Sequence, residues 1–318
     1  MQKLSERFQG LFIPHVTPFD ESGSLDLESL EQLASHFAAV GGVSGLVSCA
    51  RIGEGPVLTV EEKRSTYRVV GKITRKAGLI HVAAICPQST EEAIRLVRDL
   101  ESLPVDAAMI FPPLLFAWGK VGGEFKFRFF EDIARQSDLP LVLFQIPVAS
   151  YWYDVPTICR IAHIEKVVAY KEASFSVDLF TETMRELERQ GCTMQVLTGN
   201  DRFVAQSYVL GTNGALIGIA NLATEKWAAI DRSARAGNYQ EAMVIQEELR
   251  ELQDLVFGEP IVEAVARIKT ILRYQGIIKT DVVRRPQLGV TLVEKKNLIE
   301  SYCKLGLAEV PERPGLSP

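Results

Sequence analysis

The sequence predicts an α/β fold, a (β/α)8 TIM barrel with a C-terminal helical extension. Three observations carry this. Short apolar runs of strand character recur eight times between residues 11 and 220. Amphipathic segments with helical spacing separate them. Neither GxGxxG nor GxxxxGK[ST] occurs, and one of them normally marks the alternative, an open doubly wound sheet. Eight strand–helix alternations are the pattern of a closed barrel.

The strands are read at LFIPHVT (11–17), GLVSCA (45–50), LIHVAAI (79–85), AAMIFPP (107–113), PLVLFQIP (140–147), VVAYKEA (167–173), MQVLTG (194–199) and GALIGIA (214–220). Each is nearly continuous in apolar residues, as parallel strands buried on both faces require. Helical segments follow the first seven at 25–41, 59–78, 89–103, 124–136, 155–164, 177–191 and 201–211. Thr59 with Glu62 and Ser89 with Glu92 are capping signals. Gly41, Gly78, Gly191 and Gly211 are stop signals. Asn200-Asp201 reads first as the N-cap of the seventh helix and second as a polar wall of the site. Beyond Asn221, residues 224–238, 239–257, 261–275 and 291–305 read as helices. RRPQLG (284–289) reads as a loop and PERPGLSP as a loose tail. The expected division is a barrel over 1–238 and a helical region over 239–318.

Composition narrows the function. The 318 residues are 47% hydrophobic and 24% charged, with a net charge of −5. That is ordinary for a globular protein. There is no basic stripe to hold a phosphate backbone, so no nucleic-acid partner is expected. Cys49, Cys86, Cys159, Cys192 and Cys303 are scattered and odd in number, which reads as reduced thiols of a cytoplasmic protein. The histidines have no metal-ligand spacing. MQKLSERFQG lacks an apolar core and no run of about 18 apolar residues exists, so neither export nor a membrane span is expected.

Barrel active sites gather at the C-terminal ends of strands. There the chain places Thr17, Arg51 to Glu54, Cys86, Pro112, Gln145, Lys171, Gly199 to Asp201, and Gly218 to Asn221. Lys171 is the lysine among them. Alternation along the sixth strand puts Val167, Ala169 and Lys171 on one face. A lysine in an apolar mouth is desolvated. Lowering its pKa from about 10.4 to about 7.4 leaves roughly a quarter neutral at pH 7. A neutral amine can attack a ketone and form a Schiff base.

VTPF (16–19), GEGPVLTVEEK (53–63), YKEAS (170–174), LTGND (197–201) and GALIGIAN (214–221) occur in order over nearly the whole chain. They resemble the dihydrodipicolinate synthase / N-acetylneuraminate lyase family of class I aldolases. The resemblance implies a barrel, commonly a homotetramer, in which a strand-six lysine forms an imine with pyruvate or another 2-oxo acid. Lys171 matches that lysine. No metal or organic cofactor is implied.

The match departs at four places. Well-known members carry a Gly-Thr-Thr-Gly-Glu turn after strand two, whose threonines hold the keto acid's carboxylate and relay protons. This chain reads Ala50-Arg51-Ile52-Gly53-Glu54. The strand-five tyrosine that shuttles protons is replaced in Phe144-Gln145-Ile146-Pro147. A second tyrosine, given by a neighbouring subunit, falls near Leu114, and an arginine past strand five falls at Ala149. Arg51 is the candidate for the substrate carboxylate, since a guanidinium grips it bidentately. Ile52, Phe144, Gln145, Gly199 and Ile217 are further candidates for substrate contact. Tyr151 and Tyr153 are possible proton donors, and Gly53 and Glu54 are read as structural.

The expected function is a Schiff-base-forming lyase, aldolase or dehydratase on pyruvate or a related 2-oxo acid, in a homo-oligomer (tetramer or dimer). Two alternatives stand beside it: a non-catalytic 2-oxo-acid binder, and a barrel enzyme that uses Lys171 only electrostatically.

Overall fold

The computed structural model describes residues 5–119 and 121–307. The tail expected at PERPGLSP lies outside the described residues. Eight strands form one closed parallel barrel. They are β1 (Gly10–Pro14), β2 (Val43–Ser48), β3 (Ile80–Ile85), β4 (Ala107–Ile110), β5 (Leu141–Gln145), β6 (Val167–Glu172), β7 (Gln195–Thr198) and β8 (Gly214–Leu216). Each pairs with the next, and β8 closes on β1 through Gly10 opposite Gly214. The helices between them are α1 (Leu27–Ala39), α2 (Val60–Ala77), α3 (Thr90–Leu100), α4 (Gly123–Gln136), α5 (Val155–Ala162), α6 (Val177–Arg189), α7 (Val204–Val209) and α8 (Thr224–Arg235).

Phe12, Val47, Val82, Met109, Val142, Ala169, Leu197 and Leu216, one from each strand, pack inside the barrel. Two larger apolar layers lie between the strands and the surrounding helices. This packing explains the continuous apolar runs, because both faces of each strand are buried. Local signals set the helix ends. At α2, Thr59 accepts from the N–H of Glu62 while Glu62 accepts from that of Thr59. At α3, Ser89 accepts from Glu92, whose carboxylate turns instead to the N–H of Gln88.

The expected cap of the seventh helix is corrected. α7 starts at Val204, and neither Asn200 nor Asp201 caps it. Both side chains are taken by other strand ends. Asn200 accepts from Phe175 and donates to Glu172. Asp201 accepts from Ile219.

After α8 come α9 (Tyr239–Glu248), α10 (Arg250–Val256), α11 (Ala264–Tyr274) and α12 (Leu292–Lys304). The segment 239–257, read as one helix, is divided at Leu249, whose N–H turns to Gln246 three residues back. That tighter spacing interrupts α-helical bonding. From α11, Lys269 reaches Glu54 in the turn after β2, and both side chains are fully buried. Among the described residues no helix is long and apolar enough to cross a membrane.

Candidate active site

β6 carries Lys171 to the mouth of the barrel. The expected parity is corrected in one respect. The register with β5 shifts between Leu141 and Val142, so Val168 is skipped. Val167 therefore joins the outer layer, while Val168 and Ala169 both pack inside. This bulge lies below Lys171, which stays on the inner side, opposite Phe144.

Lys171 is 8% exposed. Its Nζ lies 4.5 Å from the centre of the Phe144 ring. Among the described residues it makes no hydrogen bond or ion pair. Burial lowers its pKa to about 8; Asp201 opposes that shift and Arg51 reinforces it. The loss of hydration is thus only partly offset by a counter-charge. Gly199 gives the side chain its room. A Cβ there would stand 2.8 Å from Lys171 Cε and 2.7 Å from the Ala173 Cβ.

A cavity of about 40 Å³ lies over Lys171, among Arg51, Ile52, Phe144, Phe175, Gly199, Asp201, Phe257 and Ile261, with small residues and prolines completing the wall. Arg51 is half-buried and donates to the Ile261 carbonyl at 3.4 Å. Burial lowers its pKa, and Asp201 opposes the change. Asp201 is 7% exposed. Burial raises its carboxyl, against the pull of the Ile219 N–H, Lys171 and Arg51.

The turn that presents Arg51 is held from below. Glu54 has φ of 53°, left-handed for a residue with a side chain. Such a conformation persists where surrounding contacts hold it. Glu54 accepts from Lys269, from the Arg284 N–H at 2.9 Å and from Gln287 at 3.1 Å. Thr17 donates to the Gly53 carbonyl at 2.7 Å, and a Cβ at Gly53 would meet the His15 carbonyl at 2.9 Å.

The structure therefore brings together Lys171, Arg51, Ile52, Phe144 and Gly199. It does not bring Gln145, Ile217, Tyr151 or Tyr153 to the mouth. Gln145 follows Phe144 and so points the other way. Its Oε1 accepts from the Tyr153 N–H at 3.1 Å. Ile217 packs in the outer layer. Tyr151 is half-buried against the layer that contains Tyr153. Tyr153 sits among Phe116 and Phe130, and burial raises its phenol far above the usual range. Sequence reasoning missed Phe175, Phe257 and Ile261 as walls, and gave Asp201 that role only second to a helix cap. Asp201 carried a signal, since it lies two residues past Gly199 at a strand end. Phe257 and Ile261 arrive from the helical region and carried none. Among the described residues no group of three or more His, Cys, Asp or Glu is gathered as a metal site.

A closed parallel barrel with a desolvated lysine at the end of its sixth strand defines the class: a class I aldolase-type lyase. The comparisons agree. The profile of the dihydrodipicolinate synthetase family matches residues 7–302. The 4-hydroxy-tetrahydrodipicolinate synthase of Moorella thermoacetica is 31% identical, over 92% of this chain and 96% of its own. That of Laribacter hongkongensis is also 31% identical, over 90% and 96%. The crystal structure of dihydrodipicolinate synthase from Aquifex aeolicus superposes with a TM-score of 0.84 at 25% identity, over 94% of this chain and 99% of that one. A structure described as a monomeric dihydrodipicolinate synthase variant gives 0.88 at 23% identity, over 95% and 98%, a likeness of fold. The chain belongs to the dihydrodipicolinate synthetase family.

Proposed function

We propose that this protein is a Schiff-base-forming lyase or aldolase (or dehydratase) that acts on pyruvate or a related 2-oxo acid, with Lys171 as nucleophile and Arg51 gripping the carboxylate. The observation that carries this is a lysine buried at the barrel mouth with its pKa lowered to about 8. Roughly a tenth of such a lysine is neutral at pH 7. The neutral amine adds to the keto carbon, water leaves, and the iminium withdraws electrons from the adjacent carbon. Arg51, across the same cavity, supplies the grip on the carboxylate that the missing threonines leave unprovided.

The cavity over Lys171 is small, about 40 Å³, and Phe144, Phe175 and Phe257 line it. The aromatic wall favours acids with an apolar or extended chain. Leu114, Leu115, Trp118 and Phe125 are more than half exposed after β4 and at the start of α4, which supports the homo-oligomer (tetramer or dimer) reading. Light scattering on the purified protein tests that part.

The chemical test is borohydride trapping with pyruvate and with longer 2-oxo acids, read by peptide mass spectrometry. An adduct on Lys171 is expected. A folded sample that binds an acid without an adduct would leave Lys171 an electrostatic role. Failure to bind any would remove the 2-oxo-acid reading altogether.

A further inference from the structure

We propose that Asp201 is the acid–base residue of this site, moving protons to and from the keto acid held on Lys171. This rests on the Schiff-base reading above and names the group that replaces the missing tyrosine. Imine chemistry needs a proton acceptor and donor beside the bound carbon. Of the described residues lining the cavity, three are charged: Arg51, Lys171 and Asp201. The others are apolar residues, glycines and prolines, with no hydroxyl, thiol or imidazole among them. Lys171 is consumed in the imine, and a guanidinium does not give up its proton. Asp201 is what remains.

Its placement fits the task. Asp201 follows Gly199, which packs against Lys171 Cε, by two residues. Its carbonyl accepts from Gln253 at 2.5 Å and its Oδ1 from the Ile219 N–H at 2.9 Å. The second bond ties the carboxyl to the segment after β8 and the first ties the backbone to α10, and neither involves α7, so helix capping does not account for the carboxyl. Burial favours the protonated form while Lys171 and Arg51 favour the anion. Such opposition suits a group that both takes and returns a proton.

The steps balance. The carbinolamine hydroxyl leaves as water with the proton of the Asp201 carboxylic acid. The resulting carboxylate then takes a proton from C3 of the iminium. The C–H electron pair becomes the C2–C3 double bond, and the C=N pair moves to nitrogen. Asp201 is then protonated beside a neutral enamine. The reverse transfer restores the start.

The test is deuterium exchange at C3 of pyruvate in D2O, followed by NMR, alongside borohydride trapping. Asp201→Asn keeps an oxygen for the Ile219 N–H but loses the base. It should still reach the Lys171 adduct, more slowly because solvent water must then protonate the leaving hydroxyl, with exchange at least about 100-fold slower than wild type. Asp201→Glu, which keeps a carboxyl at a displaced position, should regain part of the exchange. A structural or purely electrostatic role predicts otherwise. Removing the negative charge lowers Lys171 further, so imine formation would persist or quicken and exchange would follow it. Exchange in Asp201→Asn within about threefold of wild type would overturn the proposal alone. So would loss of adduct and exchange together in both variants. A wild-type protein that binds 2-oxo acids yet yields no adduct would overturn the Schiff-base reading along with it.

Discussion

Imine formation on Lys171 should titrate near pH 8. Burial holds the lysine at about 8, with Asp201 opposing and Arg51 reinforcing. An ordinary lysine at about 10.4 is neutral to about 0.04% at pH 7, whereas this one is neutral to roughly 9%. The burial thus supplies a gain of about 200-fold in reactive amine. From pH 7 to pH 9 the neutral fraction of Lys171 rises about tenfold and then levels. An ordinary lysine would gain nearly 100-fold over the same range and go on rising past pH 10. The assay mixes protein and pyruvate at each pH, moves timed aliquots into a common borohydride quench, and counts modified Lys171 by mass spectrometry. A midpoint at or above pH 10 would refute the desolvation argument. Stability gives an independent check. The folded pKa lies below the unfolded one, so the native state resists the proton that the unfolded chain keeps. Below pH 8 that charge burdens the fold, and Lys171→Met should stabilise it at pH 7 by up to about 3 kcal/mol.

Four further outcomes are expected. Gly199→Ala brings a methyl group to 2.8 Å from Lys171 Cε, so the adduct should fall at least tenfold while circular dichroism stays native. Arg51→Met should weaken keto-acid binding by about 10- to 100-fold, the worth of a charged hydrogen bond, and should move the Lys171 midpoint upward because Arg51 now lowers it; an unchanged half-saturation in a trapping titration would remove Arg51 from the carboxylate. Glu54→Ala strands the buried Lys269 charge and should cost about 3 to 5 kcal/mol in denaturant unfolding, with much of it recovered in a Glu54→Met, Lys269→Met double variant. His15 and His81 are fully buried on either side of Ser48, and burial lowers both to about 4. Their stabilising effect is complete above pH 6.5 and lost as the pH falls toward 4. Unfolding at pH 5 should be easier by about 2 kcal/mol per ring than at pH 7.5, and a His81→Gln variant that keeps the full dependence would count against it.

The sequence by itself determined the barrel, because eight continuous apolar runs have one economical closure when helices cover every gap. It also determined that Lys171 reaches the mouth. A strand ending in lysine offers two faces, and the aldolase motifs around Tyr170 to Ser174 chose the inner one. Arg51 was legible for the same reason, as a strand end with an unusual residue. What only the tertiary structure decided is which side chains share the cavity. Phe144 and Gln145 are neighbours, and a strand turns one inward and the other outward, so only Phe144 meets the lysine. Asp201 looked like a helix cap because caps and strand-end site residues use the same short carboxylate. Its true partner, the Ile219 N–H, lies 18 residues on, at the end of another strand. Phe257 and Ile261 close the mouth from a helical region whose own periodicity reports only its packing. Local pattern encodes the direction a residue faces. Which groups meet across the mouth depends on how eight strands and a distant segment close together, and no short window of sequence contains that.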